Sequence, residues 1–128
     1  MIGKQALFCF ALVAVGCHAK PSAMSVCTTL VSSGVAANCK DGGPANGMGA
    51  AASEYVVFDL PSVPGETGQV LRFDKSSDFD ATTKAFDAMA ALAGRHRYGS
   101  SGALIFVQLN SGASTEVGKK AEDVVNKL

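Results

Sequence analysis

The residues with the most obvious chemical potential form a short polar cluster, Arg95-His96-Arg97-Tyr98, which follows a predicted helix. Two guanidinium groups and an imidazole can together bind a carboxylate or another anion, with the histidine as the pH-sensitive member. The same cluster also suits the end of a helix, where the helix dipole favours cations. Two interpretations therefore stay open: a helix-capping cluster, or an anion-binding site formed by Arg95, His96 and Arg97.

A hydrolase that pairs His96 with one of the many serines is a third alternative. Nucleophilic catalysis needs a nucleophile, a base beside it and a group that orients the base. The sequence around His96 indicates no such set. We therefore expect a non-enzymatic protein that uses no cofactor.

Two other segments match ligand-binding loops only in part. Lys40–Ser53 is rich in Gly, Ala and Asn, but Met48 and Gly49 stand where a phosphate-binding loop needs Lys and Ser or Thr. We expect this segment to be a flexible surface loop. Three aspartates that begin a calcium-loop pattern lack its glycine and its distal glutamate, so we expect helix capping and no metal site: Asp74, Asp78 and Asp80.

The N-terminus has the pattern of an export signal. Met1–Lys4 carries one positive charge, and Ala6–Gly16 is an uncharged, largely apolar run. A membrane-spanning helix needs about 20 apolar residues, so this run is too short to be one. The pattern predicts a signal peptide over residues 1–16.

The end of that segment, Ala14-Val15-Gly16-Cys17, resembles the lipobox of bacterial lipoprotein precursors, in which Leu is more usual at the first position. The resemblance implies that Cys17 is lipidated, becomes the first residue of the mature chain and anchors it to a membrane of the cell envelope. The alternatives are cleavage after Ala19, which would give a periplasmic or secreted soluble protein, and an uncleaved anchor. Residues 17–24 would form a tether, and residues 25–128 a single domain.

Cys9 lies in the predicted signal, and both cleavage interpretations leave Cys27 and Cys39 in the mature chain. An exported chain with two such cysteines favours a disulfide. On one continuous helix their separation of twelve residues would be a rise of about 18 Å, whereas a disulfide needs Cα atoms within about 7 Å. The chain must therefore double back, and Gly34 is well placed to end a helix over residues 22–33.

The numbers of charged and aromatic side chains argue against some classes of partner. The 128 residues carry 11 basic and 11 acidic side chains, so no basic excess points to nucleic acid. With no Trp and two Tyr, a broad aromatic binding surface is not expected. We expect an interaction module that is held at the membrane through its lipid and binds an envelope protein.

The fold is predicted to be α+β, because the apolar run Ala103–Leu109 is typical of a strand buried on both faces. Further strands are predicted at Glu54–Leu60 and Gln69–Phe73, and an amphipathic helix capped by Ser114 is predicted to close the chain. One more helix, over residues 79–93, should bury a stripe formed by Phe79, Phe86, Met89, Ala90 and Ala93. We predict a small mixed three-stranded sheet with the order α-β-β-α-β-α, in which the helix over residues 79–93 forms a parallel crossover to the last strand.

Overall fold

The computed structural model describes residues 20–128. The helices are α1 (Ala23–Ser32), α2 (Ser76–Ala88), α3 (Ala90–Ala93) and α4 (Thr115–Asn126). The strands are β1 (Ala37–Asp41), β2 (Glu54–Asp59), β3 (Thr67–Arg72), β4 (His96–Ser100) and β5 (Ile105–Leu109). One turn of 3₁₀ helix, Gly47–Gly49, lies in the loop between β1 and β2.

The five strands form one sheet in the order β1-β2-β3-β5-β4, and every neighbouring pair is antiparallel. β5 lies between β3 and β4, and all five of its residues are buried. The prediction that this strand is buried is therefore confirmed. Helices cover both faces of the sheet, which makes the fold α+β, as predicted.

One face of the sheet, which we call the α1/α4 face, carries the larger core. Alternate strand residues point toward these two helices because side chains alternate along a strand. The cluster includes Val26 and Leu30 of α1 and Val125 of α4, which pack on Phe58 and Val107 of the sheet. The apolar stripe predicted for the last helix is buried here at Ala121, Val124 and Val125, and Ser114 caps the helix through the Val117 amide.

The opposite face, which we call the α2/α3 face, carries a smaller aromatic core. Phe79 and Phe86 of α2 pack with Phe73 and Phe106, and the Phe86 and Phe106 ring centroids are 4.9 Å apart. This core covers one side of the face, and beside it Tyr55, Val57 and Gln69 are only half buried. The two faces together form three layers: helices, sheet, helices.

The disulfide joins α1 to β1. Gly34 ends α1 with φ +82°, and the amides of Gly34 and Val35 donate to the carbonyls of Val31 and Leu30. This pair of bonds is the Schellman arrangement, in which a left-handed glycine turns the chain back. The reversal places the Cα atoms of Cys27 and Cys39 6.2 Å apart, and the two sulfurs are bonded.

The predicted sheet of three mixed strands was wrong in number and direction. The segment His96–Ser100 forms β4, so the chain crosses the sheet once more between α3 and β5 and reverses the direction of β5 relative to β3. The segment Ala37–Asp41 forms the edge strand β1. The observed order is α-β-β-β-α-α-β-β-α.

One predicted helix has different bounds in the structure. The helix expected over residues 79–93 begins at Ser76 and is interrupted at Met89, whose ψ of +35° is not helical. Because of this break, Met89 and Ala90 are exposed instead of buried with Phe86. The helix predicted over residues 22–33 is confirmed as α1, and because α1 begins at Ala23, it includes the last two residues of the expected tether over residues 17–24.

The predicted signal peptide and the lipidation residue Cys17 lie outside the described residues. None of the helices within residues 20–128 is long and apolar enough to cross a membrane.

Candidate functional site

The three residues predicted to bind an anion are not brought together by the structure. His96 and Arg97 are successive residues of β4, so their side chains point to opposite faces of the sheet. His96 faces α4, whereas Arg97 faces α2. Arg95 precedes the strand and is exposed.

The His96 imidazole is buried, with 7% of its surface exposed, and both ring nitrogens have partners. Nε2 lies 2.9 Å from the Ala113 carbonyl oxygen, and Nδ1 lies 2.9 Å from the Tyr98 hydroxyl. A carbonyl oxygen can only accept, so we assign the proton to Nε2, and Nδ1 then accepts from the Tyr98 hydroxyl. Because Nε2 already carries that proton, it does not accept from the Arg95 Nε atom 3.4 Å away.

Tyr98 is affected by the same packing. Burial raises the pKa of its hydroxyl above the usual value, and the Glu122 carboxylate adds to the rise, whereas Arg95 opposes it. The neutral phenol is therefore the form that the fold favours, and it is the form that donates to His96.

Arg97 performs a structural role on the other face. Its Nη1 atom donates to the Phe86 carbonyl at 3.0 Å and to the Asp87 carboxylate at 3.1 Å. Both acceptors lie in the last turn of α2, where a cation also meets the negative end of the helix dipole. The charge of Arg97 is thus compensated within the fold.

Arg95 is the member of the trio that remains at the surface. Its Nη2 atom is 3.5 Å from the Thr115 hydroxyl, at the beginning of α4. It borders an open cleft of about 400 Å³ whose other walls are His96 and the segment from Asn110 to Ala113.

A second concave surface lies on the α2/α3 face, and the sequence did not predict it. We call it the amide groove. Its floor includes Tyr55, Gln69 and Gln108, from three neighbouring strands, and Asn110 lies just beyond β5. The walls are the 3₁₀ turn with Met48 on one side and Leu92 of α3 on the other. Two adjoining hollows of about 290 and 110 Å³ make up the groove.

The amides of the groove are held by a chain of hydrogen bonds. Gln108 is buried, and its Nε2 atom donates to the Ala93 carbonyl at 2.7 Å and to Asn110 Oδ1 at 3.0 Å. Its Oε1 atom accepts from Gln69 Nε2 at 2.9 Å, and Asn110 Nδ2 donates to the Thr67 hydroxyl at 2.9 Å. Since the Ala93 carbonyl can only accept, this chain fixes which end of each amide faces its neighbour.

One signal in the sequence could have revealed this groove. Gln108 interrupts the apolar run that was predicted to be buried on both faces, and a buried amide requires partners. Gln69 occupies a similar position in the second predicted strand. The register pairs Gln69 with Gln108 directly, but the sequence alone does not specify that register.

The segments considered for phosphate and calcium have other roles in the structure. Gly49 of the glycine-rich loop is buried against Leu71, and Asp74 lies 3.6 Å from Arg72. Within residues 20–128, no three His, Cys, Asp or Glu side chains are grouped closely enough to hold a metal ion.

Comparisons with protein-family models, with curated protein sequences and with solved structures find no match for this chain.

Proposed function

We propose that the protein is an exported, lipid-anchored, non-enzymatic interaction module of the cell envelope. The observation that carries this proposal is the Cys27–Cys39 disulfide. Disulfides of this kind persist in oxidising compartments and are rare in the cytosol of mesophiles. The bond agrees with the export signal expected over residues 1–16.

The start of the described chain supports a short anchor. The Ala23 amide donates to the Glu54 carboxylate at 2.7 Å, and Lys20 Nζ donates to the Gly102 carbonyl at 3.0 Å. Cys17 precedes Lys20 by three residues, which span at most about 11 Å when extended. A lipid on Cys17 would therefore hold this domain close to the bilayer surface.

Two features support binding in preference to catalysis. The imidazole of His96 has both nitrogens engaged with Ala113 and Tyr98, so neither is available to activate a serine. The amide groove instead presents fixed amides beside apolar side chains, which is the composition of a recognition site.

Export and lipidation are tested by measuring the intact mass of the protein from membrane and soluble fractions of its host. Each sample is alkylated with and without prior reduction. We expect a mature chain that begins at Cys17 and carries acyl groups. Cys27 and Cys39 should resist alkylation until the disulfide is reduced.

Two outcomes would contradict this proposal in different ways. A chain that begins at Lys20 without lipid would keep export and remove the anchor. A chain that retains Met1 and has freely alkylated Cys27 and Cys39 would overturn the proposal that the protein is exported.

A further inference from the structure

We propose that the amide groove binds a neutral saccharide. This inference deepens the proposed function, because it names the ligand class of the interaction module and rests on the module being a binding protein. It is carried by three properties of the groove: an uncharged lining, fixed hydrogen-bonding groups with unused capacity, and exposed apolar side chains at the rim.

None of the described residues that line the groove has a charged side chain. Charged residues flank the lining in the register. Arg97, opposite Gln108, has its guanidinium turned to Asp87 and the end of α2. Asp59, opposite Thr67, accepts a hydrogen bond from Asn38 Nδ2 at 2.8 Å. A charged ligand would lose its hydration here without gaining an ion pair, which costs free energy. The lining therefore selects for a neutral ligand.

The hydrogen-bonding groups of the groove are oriented before any ligand arrives. Because Gln69 Nε2 is turned toward Gln108, its Oε1 atom is left as an acceptor with no partner among the described residues. Asn110 uses one Nδ2 hydrogen on Thr67 and keeps the other. The Tyr55 hydroxyl also has no hydrogen bond within residues 20–128, and it can both donate and accept.

A saccharide matches this mixture of groups. Each of its hydroxyls donates and accepts, so one ring can satisfy the Gln69 acceptor and the Asn110 donor together. Orientation of these groups in advance lowers the entropy lost on binding. The C–H surface of a sugar ring can pack on Met48 and Leu92, which are 37% and 76% exposed.

The position of the groove disfavours an extended peptide. Peptides commonly bind a sheet by adding a strand to a free edge. The floor of the groove is formed by β2, β3 and β5, and each of these strands already has a partner on both sides. The larger hollow of about 290 Å³ is also near the lower limit for small-ligand sites, which suits one or two sugar rings.

The test is an amide chemical-shift titration of the full chain, isolated from its host in detergent, with four neutral trisaccharides. The probes are maltotriose, cellotriose, mannotriose and the trimer of N-acetylglucosamine, each raised to about 10 mM so that millimolar affinity is detected. An uncharged hexapeptide and a uronate trisaccharide serve as comparison ligands. We expect at least one neutral trisaccharide to shift the signals of Gln69, Leu92 and Asn110.

Two variants and a matched control locate the binding. Gln69→Met keeps the length of the side chain but removes both the free acceptor and the hydrogen bond to Gln108 Oε1, so we expect Kd to rise about tenfold. Leu92→Ala removes a surface side chain at no cost to the core, and we expect a rise of about fivefold. Asn126→Ala removes an exposed amide from α4 and should leave Kd unchanged. If Gln69→Met failed to fold, Leu92→Ala would still decide the question.

The proposal is overturned if none of the four neutral trisaccharides shifts the groove signals, or if the shifts lie elsewhere and are unaffected by both variants. Binding of the hexapeptide or of the uronate alone would assign the groove to a different ligand class and would also overturn it. The titration and the mass measurement test different proposals. If the chain binds a sugar but carries no lipid, the saccharide inference stands and the lipid anchor is refuted. If the chain is lipidated but binds none of the four sugars, only the proposed function stands.

Discussion

Gly118 is the residue at which the packing of α4 on β4 tolerates least change. A Cβ atom there would lie inside van der Waals contact with His96 Nδ1 and 2.7 Å from the Tyr98 hydroxyl. In an open helix position, Gly→Ala stabilises by about 1 kcal/mol. Here the new methyl group would displace the imidazole or the helix, so we predict that Gly118→Ala lowers the free energy of unfolding by about 2 kcal/mol.

Urea unfolding of the purified protein measures this change, and Gly102→Ala is its matched control. Gly102 has nothing within 4 Å of a built Cβ, so its substitution should leave stability unchanged or slightly raised. A stabilised Gly118→Ala protein would show that α4 is not held against His96 and Tyr98.

Tyr98 predicts a loss of stability at alkaline pH. Its pKa is raised in the folded protein by burial and by Glu122. The unfolded chain therefore releases the phenolic proton first, so the free energy of unfolding is intact below pH about 10 and falls as the pH rises toward the folded pKa. We predict that Tyr98→Phe is less stable than wild type near neutrality, because it loses the bond to His96, but falls less steeply above pH 10.

Unfolding curves at several pH values, together with tyrosinate absorbance, measure both effects. Glu122→Gln retains the phenol and removes one cause of the raised pKa, so its alkaline decline should lie between those of wild type and Tyr98→Phe. Parallel declines in all three proteins would place the alkaline loss on other groups.

At the scale of elements, the disulfide stabilises the connection between α1 and β1. In the chain-entropy account, closing a loop of this length stabilises by about 3 kcal/mol. We predict that reduction lowers the free energy of unfolding by that amount, measured by urea unfolding with and without a thiol reductant. A Cys27→Ala, Cys39→Ala protein should match the reduced wild type and show no response to reductant. A response in that variant would mean that the reductant acts elsewhere.

The sequence predicted the elements whose patterns are simple. β5 is an apolar run, the β2–β3 hairpin has a short turn between two segments rich in β-forming residues, and α4 has apolar residues at helical spacing. Each of these elements lies where it was expected. β4 was missed because the two residues that it turns toward α4 are the buried His96 and the half-buried Tyr98, which satisfy their polar groups through Ala113 and each other. No apolar alternation marks such a strand. Missing β4 then reversed the predicted direction of β5 relative to β3.

β1 was missed for a different reason. Its pairing with β2 is irregular between Ala37 and Lys40, and Asn38 has φ +56°, a conformation that asparagine adopts more readily than most residues. An edge strand with this irregularity has little regular alternation of apolar and polar residues.

The candidate sites were also only partly predictable from the sequence. Residue types indicated Arg95, His96 and Arg97, but the alternation of side chains along β4 places His96 and Arg97 on opposite faces of the sheet. The register that joins Gln69 to Gln108 depends on the pairing of β3 with β5, two strands that are far apart in the sequence.

At the scale of the whole molecule, the start of the described chain and the Asn110 end of the amide groove lie toward opposite ends of the sheet. Glu54 and Arg72 pair at one end, beside the Ala23 amide that Glu54 holds. Thr67 and Asn110 lie at the other end, joined by the Asn110 side chain. Five steps along a strand separate these ends by about 17 Å.

This arrangement predicts an orientation on the membrane for the proposed lipidated protein. If Cys17 carries the lipid, its three-residue connection holds the end with Lys20 and Gly102 near the bilayer and leaves the end with Asn110 toward the solvent. In lipid nanodiscs with a spin-labelled headgroup, we predict strong broadening of the Ser101 and Gly102 amide signals and weak broadening at Ser62 and Ser111. Equal broadening at both ends would mean that the domain lies on its side or tumbles freely. The polarity matters for function, because only an anchor at the far end of the sheet leaves the Asn110 end of the groove open to a ligand that approaches from solution.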